Sequence, residues 1–320
     1  MSVLNPYFYA LNPEILAFEN AWVNYIKENK RNNTVIDKAV WESWERCRAN
    51  DLDPLSTVPL EAIPEEDLLN RIARSHNILK IVSSFLHTIF DVVKGPGFMV
   101  MFCDSDGIVL KQLMDDEIAE RIKNIKLLPG ANLSEDKSGT NGVDLTLQTG
   151  KPIRVTGAEH YRQLFHSLTV SSAPLFNYSG NLIGVLSIVG RHELVHQHTL
   201  GMVTSSAKAI ENEIHIQKIN EQLVENNSQQ KAILQSVSDG VLYVRDKKVT
   251  QINDEMLSLV GRKRSDIGLE NVEKEIITNP EIGKILDENY ILPKNGKITL
   301  YGKLCSYNCI VTRHGVYGSN

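Results

Sequence analysis

The sequence predicts an α+β fold: helices first, then an antiparallel sheet flanked by helices, then a long helix leading to a second strand-rich unit. Three observations carry this. Apolar residues recur at helical spacing through residues 13–93 and switch to strand-like runs after Lys94-Gly95-Pro96-Gly97. "SLTVSSAPLFNYSGNLIGVLSIVG", residues 167–190, is two apolar arms around an Asn/Ser/Gly turn, the mark of a β-hairpin. Helical periodicity then returns over residues 198–237.

The elements follow in order. Trp22 and Ile26 lie four apart, and Val40, Trp41, Trp44 and Cys47 share a face of "KAVWESWERCRAND". That helix stops before Pro54, because proline disfavours helix in the residue ahead of it. Trp41 and Trp44 are expected as core anchors. A second helix is expected from Pro64 to Val93, with Leu68, Ile72, Leu79, Val82, Leu86 and Ile89 on its apolar face. "FMVMFCDSDGIVLKQL" reads as a hairpin turning at Asp104 to Gly107, and "KPIRVTG" as a short strand. Strands this apolar on both sides need cover on both faces.

In the long helix Ile210, Ile214, Ile219, Leu223, Ile233, Leu234 and Val237 form an apolar stripe, interrupted by "ENNSQQ". Such a helix packs along its own domain or pairs with a copy of itself. Beyond it, two short strands bracket an Asp-Lys-Lys turn, and Asn253-Asp254 opens a helix. The remainder is strand-like, and the chain is expected to break off inside this second unit.

Composition sets bounds. A chain of 320 residues fits about two domains. Its 42% hydrophobic and 23% charged content is ordinary for a globular protein, and a formal net charge of -5 gives no drive towards nucleic acid or membrane. Cys47, Cys103, Cys305 and Cys309 are too dispersed for a disulfide framework, and Cys305 and Cys309, four apart on one strand face, read as core residues. No apolar run reaches membrane-spanning length and the N-terminus lacks a secretory pattern, so a cytoplasmic location is expected.

Two motifs imitate chemistry. "GANLSEDKSGTNGVDLTL", residues 130–147, places Lys137-Ser138 after a glycine, as a phosphate loop does. A phosphate loop needs glycine directly before the lysine; here Asp136 stands there and Glu135 adds repulsion. The stretch reads better as a turn entering a short helix capped by Thr140 or Asn141. His192-Glu193-Leu194-Val195-His196 spells the zinc-hydrolase pattern H-E-x-x-H. It follows directly on a strand and lacks a third ligand, so no catalytic residue, metal or cofactor is expected, and zinc hydrolysis stays the remotest alternative. His160 and His166, near Glu159 and Tyr161, are expected to contact a ligand or cap structure rather than catalyse.

Several of these motifs together resemble a known family. Gly139-Thr140-Asn141, the run from Pro152 to His160, Ala173-Pro174-Leu175 and Gly180 to Leu186 are similar to the GAF domain of bacterial sigma-54-dependent enhancer-binding activators, and resemble the regulators of acetoin and of glycerol or dihydroxyacetone catabolism among them. "SWERCRANDLDP" resembles the start of the same proteins, and "AILQSVSDGVLYVRDKKVTQINDEMLSLVG" a PAS domain's opening. The resemblance implies an N-terminal helical segment (1–74), a GAF domain (75–204), a helical connector (205–235) and a truncated PAS domain (236–320). It implies a small-molecule effector bound in the GAF domain near Phe102, Thr140, Asn141, His160, His166, Ser172 and Ser187. It also implies a homodimer through the connector. Contacts to DNA and sigma-54 polymerase would belong to an ATPase and helix-turn-helix part that does not occur here. The chain departs from the family at Leu133 to Ser138, at Gly142-Val143, and at Val170-Ser171-Ser172-Ala173-Pro174, where extra hydroxyls imply a more polar ligand. The alternative is a protein-interaction module whose cavity is filled by its own side chains and whose control comes from a partner protein.

Overall fold

The computed structural model describes residues 13–30, 35–93, 97–192, 198–245, 248–259, 295–300 and 303–308. The chain divides into two compact units, Met1–Ile219 and Asn220–Asn320.

The first unit is built on a five-stranded antiparallel sheet of order β2-β1-β5-β4-β3. Its strands are β1 (Phe98–Asp104), β2 (Val109–Met114), β3 (Ile153–Thr156), β4 (Leu168–Phe176) and β5 (Leu182–Arg191). Alternation along the strands sends two apolar sets to opposite faces. Met99, Met101, Cys103, Leu168, Val170, Val185 and Val189 meet α5 (Asp116–Asn124) through Ile118 and Ile122, and the segment holding Leu127 and Leu133. Val100, Phe102, Ala173, Leu175, Leu186 and Ile188 meet α4 (His76–Val93) and α8 (His198–Ser236). Both faces are therefore covered, as the two-sided apolarity requires.

The N-terminal helices α1 (Pro13–Glu28) and α2 (Lys38–Ala49) form a third cluster. Phe18, Trp22, Tyr25, Trp41 and Trp44 pack there with Leu145 and with Val155, Ala158 and Tyr161 at and just after β3. Trp41 and Trp44 are core anchors, 5% and 0% exposed. The indoles also hold backbone: Trp22 Nε1 donates to the Tyr161 carbonyl and Trp44 Nε1 to that of Glu159, each at 2.8 Å.

The single helix expected over 64–93 is two, α3 (Glu65–Arg74) and α4, parted at Ser75. The physical reason lies in Arg71. Its Nη1 donates at 2.7 Å to both Asp104 and Asp106 in the β1–β2 turn, so α3 follows the hairpin tip while α4 follows the sheet.

In the second unit β6 (Leu242–Arg245) pairs antiparallel with β7 (Lys248–Ile252), followed by α9 (Asp254–Leu259). Asn253 caps α9 through Met256 N–H at 3.0 Å and ties the hairpin through Val241 N–H at 2.7 Å. A second hairpin, β8 (Asn295–Leu300) with β9 (Lys303–Asn308), carries Cys305; Cys309 lies outside the described residues.

Candidate functional site

The corner between α6 (Glu135–Ser138) and α7 (Gly142–Thr149) is fixed by one residue. Asn141 Oδ1 accepts from the N–H of Val143 and Asp144 at 2.9 and 3.0 Å, while its Nδ2 donates to the Leu133 carbonyl and Ser138 Oγ, both at 2.8 Å. It is the N-cap of α7, and its side chain is fully used in the fold. No phosphate cradle results: Lys137 reaches out to Glu61 at 3.5 Å, and the Glu135 N–H is held by Asp144 Oδ1.

Between this corner and the first face of the sheet lies a cavity of about 20 Å³, lined by Met101, Leu133, Asn141, His160, Phe165 and Val170 among others. That is space for about one water-sized body. Of the residues the sequence nominated, Asn141 and His160 line it. Ser172 and Ser187 lie on the same sheet face but bond each other, Oγ to Oγ at 2.8 Å. Phe102 points to the opposite face, into the helical layer. Thr140 turns towards α2, and His166 stands edge-on to Trp22 with ring centroids 4.7 Å apart. The structure thus brings together two of the seven and distributes the rest around them.

His160 is 1% exposed, and its Nδ1–H donates to the Gly157 carbonyl at 3.0 Å. Nε2 is therefore the acceptor nitrogen. Burial pushes its pKa down to about 3, against the opposing pull of the Gly157 carbonyl. His166 is lowered to about 4, again chiefly by burial, and donates through Nε2 to the His160 carbonyl at 3.1 Å.

Two carboxylates go the other way: burial raises Asp144 to about 6 and Glu159 to about 7. A raised carboxylate pKa costs the folded state progressively as pH climbs from the unfolded pKa to the folded one, and in full above the folded one. The Glu159 contribution is therefore present in acid and lost as pH rises from the unfolded value towards 7. Glu159→Gln is accordingly expected to be more stable than the wild type by about 3 kcal/mol at pH 8, with under about 1 kcal/mol left at pH 5. Urea titrations at the two pH values measure both figures.

The sequence reading missed the polar junction beside the corner. Ser43 Oγ donates to Glu135 Oε2 at 2.5 Å and accepts from Thr140 Oγ1 at 2.7 Å. Arg46 makes a two-pronged pair with Glu135, Nε to Oε1 at 2.6 Å and Nη2 to Oε2 at 2.7 Å, and reaches Gln148 Oε1 at 2.7 Å. The signal was present in "SWERC", because Ser43, Arg46 and Cys47 share one helical face. For the zinc-like motif, His192 is described, whereas Glu193 and His196 lie outside the described residues. Among the described residues no three His, Cys, Asp or Glu side chains are grouped to hold a metal, and no helix is long and apolar enough to cross a membrane.

A sheet covered on both faces, with a small cavity under a capped corner, defines the class: an α+β domain with a five-stranded antiparallel sheet. The family described as "MimR, N-terminal domain" matches residues 23–212, and the chain belongs to that family. A signal-transduction and transcriptional-control protein of Clostridium beijerinckii is 28% identical over 242 residues, 75% of this chain and 38% of that protein. The acetoin dehydrogenase operon transcriptional activator AcoR of Bacillus subtilis is 27% identical over 193 residues, 60% of this chain and 32% of its own length. The chain thus spans about a third of the length of these relatives. The fold is also that of a chain in the crystal structure of the Escherichia coli DhaR(N)–DhaL complex, with a TM-score of 0.73 and 14% identity over 85% of this chain and 93% of that one.

Proposed function

We propose that this chain is the signal-input region of a bacterial sigma-54-dependent transcriptional activator. In this reading residues 75–204 are a GAF domain that binds a small effector, residues 205–235 a connector, and residues 236–320 the opening part of a PAS domain. The observation that carries it is His160. A buried histidine that stays neutral at neutral pH, lining an apolar cavity, suits a small uncharged molecule with a hydroxyl group. A short diol or hydroxyketone has that chemistry, and AcoR is by its name an activator of an acetoin dehydrogenase operon. At about 20 Å³ the cavity must widen to admit one, so the effector acts by favouring the widened state over the closed one.

Dimer formation belongs to the same proposal. Ile216, Ile219, Leu223, Ile233 and Val237 are exposed, and with Asn226 and Gln230 they complete a heptad stripe. The flanking positions Asn220, Gln222, Asn227 and Gln229 carry no charge, so identical helices meet without repulsion.

A second reading has its own support. A cavity so nearly filled by side chains, beside an exposed apolar stripe, suits control by a partner protein, and the DhaR(N) structure is by its title a complex with DhaL. Native mass spectrometry of gently released protein separates the two. A dimer carrying a releasable small adduct, absent from His160→Phe, supports effector sensing. A dimer with no adduct, and none gained from a panel of diols and hydroxyketones, supports the partner reading.

A further inference from the structure

A second binding feature lies outside this cavity. Arg162 is only 4% exposed and forms no ion pair with any described residue. Its Nη2 donates to the Ser56 carbonyl at 3.4 Å, to Ser56 Oγ at 3.5 Å and also to the Val58 carbonyl, its guanidinium lies 5.6 Å over the Phe165 ring, and its Nε has no hydrogen-bond partner. Burial lowers its pKa, with Asp53 as the opposing charge, yet an arginine stays ionised. Buried charges are ordinarily matched by a counter-charge, and a buried donor without an acceptor is an exception that calls for a reason.

The geometry points to an oxyanion site: we infer that the Nε/Nη2 edge of Arg162 receives a small anion presenting two oxygens, a carboxylate or a phosphate. Those two nitrogens lie on one edge of the guanidinium, the edge that takes oxyanions two-pronged. At present the Ser56 and Val58 carbonyls serve Nη2 alone, as neutral substitutes. They belong to the strap 53–60 between α2 and α3, which also hangs on Gln163 through the Pro54 carbonyl at 2.9 Å. Leu60, 3% exposed and donating its N–H to the Ile125 carbonyl at 3.0 Å, anchors the far end of the strap, whereas Leu55 and Val58 are 57% and 63% exposed, so little apolar contact resists displacement of residues 53–58. An anion replacing the carbonyls matches the charge and frees the strap that ties the N-terminal helices to the "GAEHYR" segment. The site needs neither the cavity nor its effector.

The test uses the whole chain in potassium acetate, potassium phosphate and potassium chloride at equal ionic strength. Acetate or phosphate at about a hundred times its Kd is expected to raise Tm by roughly 5 °C over chloride. The same anion is expected to speed thermolysin cleavage at Leu55 or Val58 several-fold. A response to acetate alone assigns a carboxylate, and to phosphate alone a phosphorylated ligand. Arg162→Lys keeps the charge and loses the two-pronged edge, so it should lose both effects; Arg162→Gln is the second variant. Equal melting in all three salts overturns the inference, as does a full response in Arg162→Lys, which would mark an adventitious ion only.

Discussion

Gly184→Ala is expected to destabilise the first unit by about 3 kcal/mol, lowering Tm by roughly 6–12 °C. A Cβ on Gly184 would sit 2.3 Å from the Cys103 carbonyl oxygen and 2.7 Å from the Phe102 ring. Gly184 lies in β5, paired with Asp104 of β1 on one side and Leu175 of β4 on the other. Relief would require parting two ladders at the centre of the sheet, not turning one side chain. Gly201→Ala is the control. In α8 nothing lies within 4 Å of its added Cβ, and alanine there should stabilise by about 0.8 kcal/mol. Urea denaturation of the two variants gives opposite signs. A Gly184→Ala protein as stable as wild type would show that β1 and β5 are not held at this spacing.

The contrast between these glycines also shows what a single sequence reveals. "GNLIGVLSIVG" announces its turn at Gly180, because a tight turn draws glycine and asparagine. Nothing in it announces Gly184, whose requirement comes from a neighbouring strand eighty residues earlier. The same division runs through the site. The capped start of α7 was legible because capping is local, and the hairpins were legible because their apolar arms flank turn-forming Asp, Asn and Gly residues. The direction of Phe102 was not, since an alternating strand apolar on both sides gives no clue to which face holds the cavity. Ser172 and Ser187 announced polarity, yet each is the other's partner across a strand pair. Arg162 stood within the quoted "GAEHYRQLFH" and carried no signal at all; only its burial against neutral carbonyls singles it out.

Arg46→Ala is expected to cost about 3 kcal/mol, because it leaves a buried carboxylate unmatched. The Glu135 side chain is 10% exposed, whereas that of Arg46 is 42% exposed, so the penalty falls on the acid that stays behind. Asp144 beside it adds to that penalty, because the two acidic side chains repel each other. Glu135→Gln keeps the shape and removes the charge, so it should cost less. The double variant should then lie near Glu135→Gln alone, giving a coupling energy of about 3 kcal/mol in a double-mutant cycle. Strictly additive losses would mean the pair contributes only packing. The pair matters beyond stability because of what it joins. Arg46 and Ser43 of α2 grip Glu135 and Thr140, while the next residue, Asn141, caps α7 and lines the cavity. Any widening of the cavity that shifts Asn141 pulls on the hydrogen bonds that join Ser43 and Arg46 to Glu135 and Thr140. If the cavity takes an effector as proposed, the N-terminal helices would respond to the corner through this junction, and Arg46→Ala is expected to uncouple them from it.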